Sequence, residues 1–253
     1  MEKNKKLIVA NWKMNPQTAE EALRLVKNIA GRAARGVELA IAPPFVYLDM
    51  VKKNCGREIK LAAQNVHWEE RGAFTGEISA PMLKNIGCDY VIIGHSERRY
   101  KMGETGEMIN LKIKSALRHG LVPILAVGER EKNGDIKKTL AEQLTGALEG
   151  VGASEIGRLV IAYEPVWAIG TGVSDTPDHA LSAALLIRKI AGGIYGKELT
   201  ENLPVLYGGS VSGKNTGEFI GQKGIDGALV GGASLEAENF EAVLASAVSG
   251  DAE

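Results

Sequence analysis

The sequence predicts an α/β protein, a closed (β/α)8 barrel in a single domain spanning residues 1–253. Three observations carry that reading. Eight short apolar or β-branched runs alternate with longer amphipathic stretches. Most of these runs are apolar at consecutive residues, the pattern of strands buried on both faces in a parallel sheet. The length of 253 residues suits one barrel of ordinary size, about 250 residues. The main competitor is a doubly wound open sheet, which usually shows a GxGxxG turn after its first strand. Here the first strand leads into Asn11-Trp12-Lys13-Met14-Asn15.

The expected strands are Leu7–Ala10, Val37–Ala42, Ile59–Ala63, Tyr90–Ile93, Val122–Val127, Leu159–Tyr163, Pro204–Tyr207 and Ala228–Val230. Between them, Ala19–Ala30 sets Ala22, Leu25, Val26 and Ile29 on one helical face and ends at Gly31. Met108–Leu117 and Ile136–Leu148 carry the same period. Thr176-Pro177 reads as an N-cap with proline at the first helical position, opening a helix through Ile190. Phe240–Ala247 is the last amphipathic segment, and no stretch reads as a domain linker or a low-complexity tract.

Composition narrows the function. Thirty Lys+Arg against thirty-one Asp+Glu give a net charge of -1, with 45% apolar and 24% charged residues. That is an ordinary globular balance, without the basic surplus of a nucleic-acid binder. No apolar run approaches the ~18 residues of a membrane span. The basic N-terminus reaches Asn11 and Lys13 too soon for a signal peptide. Cys55 and Cys88 form no CxxC or metal pattern and read as reduced structural thiols of a cytoplasmic protein.

A barrel gathers its active groups at the C-terminal ends of its strands. There the sequence places Asn11 and Lys13 (strand one), Gln64 and Asn65 (three), His95, Ser96 and Glu97 (four) and Glu164 (six). Gly170-Thr171-Gly172, Gly208-Gly209-Ser210 and Gly231-Gly232 follow strands six to eight. Singly, each has an ordinary explanation: a solvated lysine, a satisfied histidine, glycines in tight turns. Their convergence on one rim is what points to chemistry. A carboxylate, a histidine and a lysine suit proton transfer with charge stabilisation. Glycine turns with Ser210 suit a phosphate. No metal-spaced Cys/His/Asp cluster, GxSxG elbow or Walker A loop is present. The substrate expected is a small phosphorylated carbonyl compound.

ANWKMN (Ala10–Asn15), AQNV (Ala63–Val66), GAFTGEIS (Gly72–Ser79), IGHSERR (Ile93–Arg99), AYEPVWAIGTG (Ala162–Gly172), YGGSV (Tyr207–Val211) and LVGGASL (Leu229–Leu235) together resemble the triosephosphate isomerase family. The likeness runs from residue 7 to about residue 244. It implies a TIM barrel that interconverts dihydroxyacetone phosphate and D-glyceraldehyde 3-phosphate, in glycolysis and gluconeogenesis, without a cofactor or metal.

The resemblance implies Glu164 as the base, His95 as a neutral electrophile and Lys13 as the cation shared by phosphate and enediolate. It gives Asn11 as a further donor and Glu97 as the partner orienting Lys13. Gly170, Ser210, Gly231 and Gly232 would hold the phosphate, and Pro165–Gly172 would close as a lid. It also implies a homodimer in which Gly72–Ser79 inserts into the second subunit, bringing Thr75 to that subunit's Lys13 and Asn11. Two departures stand out. Ala126 occupies the usual cysteine position of strand five, where a small packing change is expected. Val173-Ser174-Asp175 stands at the lid exit where a basic residue is usual, leaving lid kinetics open. The alternatives are another phosphate-binding barrel, such as a sugar-phosphate epimerase or a synthase, and a non-catalytic sugar-phosphate binding protein.

Overall fold

A computed structural model of the chain describes residues 5–32, 36–169 and 175–249. Among the described residues eight parallel strands close into a barrel in sequence order. They are β1 (Lys6–Asn11), β2 (Val37–Ala42), β3 (Lys60–Ala63), β4 (Tyr90–Ile93), β5 (Val122–Val127), β6 (Val160–Tyr163), β7 (Val205–Tyr207) and β8 (Gly227–Val230). Closure falls to β1, whose Leu7 faces Glu38 of β2 and Gly227 of β8. Gly227 has φ +150°, and a Cβ there would lie 1.9 Å from the Leu7 carbonyl oxygen, so the seam admits only glycine.

The strands are apolar at consecutive residues because they bury two faces. Leu7, Val9, Ala62, Ile92, Ile124 and Leu206 fill the barrel interior. Their neighbours Ile8, Ala10, Leu61, Val91, Leu125 and Val205 pack outward under the helices. Ala126 is fully buried on the inner side.

The helical layer comprises α1 (Ala19–Ala30), α2 (Leu48–Asn54), α3 (Ala80–Ile86), α4 (Ser96–Lys101), α5 (Gly106–Arg118), α6 (Ile136–Leu148), α7 (Pro177–Tyr195), α8 (Lys197–Thr200), α9 (Thr216–Ile220) and α10 (Ala237–Ser249). Its boundaries follow capping chemistry. Thr18 and Glu21 form a reciprocal capping box at the start of α1. Thr105 caps α5, so that helix starts at Gly106, ahead of the apolar period at Met108. Helix α7 runs on past Ile190 to Tyr195 and stops where Gly196 takes φ 92°.

The interior parity also sets the rim. Two residues beyond the inward Val9, Ala62, Ala126, Ala162, Leu206 and Leu229 lie Asn11, Gln64, Gly128, Glu164, Gly208 and Gly231. A period of two thus carries the buried core directly into polar and glycine positions at the C-terminal face.

Candidate active site

Glu164 and His95 meet at the centre of this face. His95 Nε2 lies 3.0 Å from Glu164 Oε1, and the Ser96 N–H donates to Glu164 Oε2 at 2.8 Å. Both residues are nearly inaccessible, at 6% and 2% exposure. His95 is the N-cap of α4: its Nδ1 accepts the Glu97 N–H at 3.2 Å, nearer than the Glu97 carboxylate at 3.7 Å. A ring nitrogen that accepts carries no proton, so the network assigns a neutral imidazole with its hydrogen on Nε2, directed at Glu164.

Lys13 stands beside this pair in a conformation that side chains rarely adopt, φ 52°. Three bonds over-determine it. Its N–H donates to Asn11 Oδ1 at 3.0 Å, its carbonyl accepts from Gln64 Nε2 at 2.8 Å, and its Nζ donates to Glu97 Oε1 at 3.0 Å. Such strain persists only where the surroundings hold it, commonly at functional sites. Burial pushes the Glu97 carboxyl up, but Lys13, through its charge and its hydrogen bond, outweighs burial and leaves the group below its ordinary value. Glu97 therefore stays ionised at neutral pH, and its pairing with Lys13 dissolves only as pH falls through that lowered value.

Asn11, Lys13, His95 and Glu164 line a cavity of about 220 Å³ together with Gly209, Ser210, Gly231 and Gly232. This is smaller than the roughly 300–1,000 Å³ of drug-sized pockets and suits a small metabolite. The glycines bring backbone close. A Cβ on Gly231 would lie 3.2 Å from Lys13 Cε, whereas one on Gly232 would meet nothing within 4 Å. Gly232 opens a short 3₁₀ turn, Gly232–Leu235, whose first N–H groups are available to an anion. Glu97 lies on the other side of Lys13, against a neighbouring cavity of about 310 Å³ that also touches Asn11, Gln64 and His95. Gly170, and the lid positions 171–172, lie outside the described residues.

A family profile described as Triosephosphate isomerase matches residues 6–247. The chain is 45% identical to the triosephosphate isomerase of Alkaliphilus oremlandii over 95% of this chain and 98% of that one. It is 46% identical to that of Acetivibrio thermocellus, over 95% and 98% of the two chains. It is 49% identical to that of Dehalococcoides mccartyi, over 94% of each. The chain belongs to the triosephosphate isomerase family.

In this triosephosphate isomerase family barrel, several residues around the site carry no local signal. Glu129, after β5, is 2% exposed and accepts from the Tyr163 hydroxyl at 3.0 and 3.1 Å and from Trp167 Nε1 at 2.6 Å. Burial, and then the Glu129 charge, push the Tyr163 phenol far above its ordinary range, so it remains a donor. The group ties the Val166–Ala168 turn, which follows Glu164, to the end of β5. Half-buried Arg99 donates to the carbonyls of Gly94 at 2.6 Å and Ala126 at 2.9 Å, tying the ends of β4 and β5 together. Asn65 lines the neighbouring cavity and not the first, and its Oδ1 accepts from Lys112 Nζ at 2.9 Å. Apart from Gly94, five residues before Arg99, the partners of these residues are tens of residues away in sequence, so only the fold brings them together.

Proposed function

We propose that this barrel interconverts dihydroxyacetone phosphate and D-glyceraldehyde 3-phosphate, without a cofactor, as a step of glycolysis and gluconeogenesis. The observation that carries the residue roles is the 3.0 Å contact between His95 Nε2 and the Glu164 carboxyl in a cavity that is also lined by glycine backbone. Glu164 removes a proton from the carbon next to the carbonyl and returns it to the neighbouring carbon. The electrons released gather on the carbonyl oxygen as an enediolate; the hydroxyl proton of the deprotonated carbon passes to that oxygen, so that protonation of the neighbouring carbon leaves the new carbonyl where the hydroxyl stood. His95 Nε2–H turns from Glu164 to that oxygen, with Asn11 as a second donor. Lys13, oriented by Glu97, supplies the positive charge that balances enediolate and phosphate. Free glutamate titrates at roughly 4.3 and is a weak base in water; enclosure against the carbon makes it effective.

Ser210, Gly231 and Gly232 bind the phosphate. Gly232→Val tests this cleanly, since a Cβ there meets no protein atom and the branched side chain must occupy ligand space. It is expected to raise KM by about tenfold or more, some 1.4 kcal/mol, and to weaken inorganic phosphate binding in calorimetric titration. Unchanged phosphate affinity would remove these residues from the role.

A homodimer is supported by an apolar surface around the second cavity. Met14, Val46 and Met102 are 84%, 81% and 68% exposed, and Phe74 on the Gly72–Ser79 loop is 43% exposed. Thr75 beside Phe74 would enter the second subunit's cavity against its Lys13. Thr75→Arg is expected to give a particle of monomer mass by light scattering and lower turnover; an unaltered dimer would exclude this loop from the interface. A cytoplasmic setting fits the buried free thiols of Cys55 and Cys88.

A coupled assay with D-glyceraldehyde 3-phosphate tests the function directly. Turnover is expected; its absence, with sugar-phosphate epimerisation or binding alone, would favour the alternatives.

A further inference from the structure

The aim of the Glu164 carboxylate depends on the backbone that carries it, and that backbone is docked on the turn after β5. Glu164 N–H donates to the Val127 carbonyl at 2.8 Å, and Val166 N–H to the Glu129 carbonyl at 3.0 Å. Between these bonds Gly128 lies directly against Glu164: a Cβ built on Gly128 would stand 1.7 Å from the Glu164 carbonyl oxygen. Residues 127–129 are thus a template on which the base-bearing segment 164–166 is cast.

Gly128 lies past the end of β5 and is buried, so its own N–H and C=O need partners. Both come from one side chain of the outer helical layer. Gln143, on α6, accepts the Gly128 N–H on Oε1 at 2.9 Å and donates from Nε2 to the Gly128 carbonyl at 3.0 Å. The amide pairs with Gly128 as a neighbouring peptide group would in a sheet. Among the described residues it is not part of the cavity lining, and its hydrogen bonds go to Gly128. We infer that Gln143 is a positioning residue for proton transfer: it clamps Gly128, and Gly128 holds the backbone that points Glu164 at the substrate carbon.

The inference rests on the isomerase reading, and it separates from a merely structural role through what each variant changes. Gln143→Leu keeps the bulk and removes both bonds. It should lower kcat by about tenfold or more, since displacements near 1 Å at a reacting group can cost 10²-fold. KM should stay within about twofold, because the phosphate-binding wall is untouched. Gln143→Glu keeps the acceptor for the Gly128 N–H and should restore part of the lost kcat. Leu144→Ala, the adjacent fully buried residue of α6, is the control. It should lower the melting temperature yet keep kcat when assayed well below its own midpoint.

Wild-type enzyme is measured alongside. If it shows no turnover, the isomerase reading fails. If it is active and Gln143→Leu keeps its kcat, or loses no more than Leu144→Ala at equal distance below their midpoints, the positioning role is overturned. Should Gln143→Leu fail to fold, Gln143→Glu decides: kcat lowered at constant KM supports the clamp, and wild-type kcat overturns it.

Discussion

Glu164→Gln is expected to lower kcat by about 10⁴-fold, the upper end of what a positioned proton-transfer group contributes, with little change in KM. The amide cannot take a proton, and the structure adds a second reason. In the wild type both carboxylate oxygens accept, one from the Ser96 N–H and one from His95 Nε2. Glutamine keeps one acceptor, for Ser96, and turns its NH₂ towards the His95 N–H, setting two donors face to face. Relief would require His95 to move its proton to Nδ1, which breaks the bond from the Glu97 N–H. Glu164→Asp complements this variant. It keeps the charge but withdraws the carboxylate by one methylene, so its kcat should fall between the two. Steady-state kinetics on both variants check the prediction, and near wild-type turnover in Glu164→Gln would remove the residue from its role.

His95→Ala is expected to cost about 10²–10³ in kcat, the loss that follows removal of one oxyanion donor. In the proposed mechanism the ring donates to the developing charge; in the structure it lies 3.0 Å from the Glu164 carboxylate and caps α4. Removing it leaves that carboxylate, 2% exposed, with the Ser96 N–H but without its imidazole donor. Losing the cap costs stability too, about 1 kcal/mol for a typical cap, which a thermal melt measures separately. A kcat loss under about fivefold, far below the range for an oxyanion donor, would make His95 structural.

Much of the architecture is legible because burial on two faces forces consecutive apolar residues. The runs at Val37–Ala42, Tyr90–Ile93 and Val122–Val127 mark β2, β4 and β5 to the residue. Helices α1 and α6 are equally readable, from an amphipathic period and a clear stop or start. The short helices are not. SERRYK in α4 has almost no apolar residue, and its start is fixed by a histidine acting as cap, which propensity does not anticipate. The polar residues at the strand ends are visible in sequence, and the glycine wall is visible as GG pairs. What sequence leaves hidden is how they are supported. Lys13's positive φ depends on Gln64 from β3's end, Glu129 acquires its partners only when β5 and β6 lie side by side, and Gln143 looks like any polar helix residue until Gly128 is found against it.

The central claim is that Glu164 carries a proton between two carbons of a phosphorylated triose held in this cavity. Proton NMR of dihydroxyacetone phosphate incubated with the enzyme in D₂O tests it most directly. The account predicts solvent deuterium at the carbon that is deprotonated, appearing with wild-type enzyme and suppressed by orders of magnitude in Glu164→Gln. Deuterium entering that carbon at the wild-type rate in Glu164→Gln would contradict it.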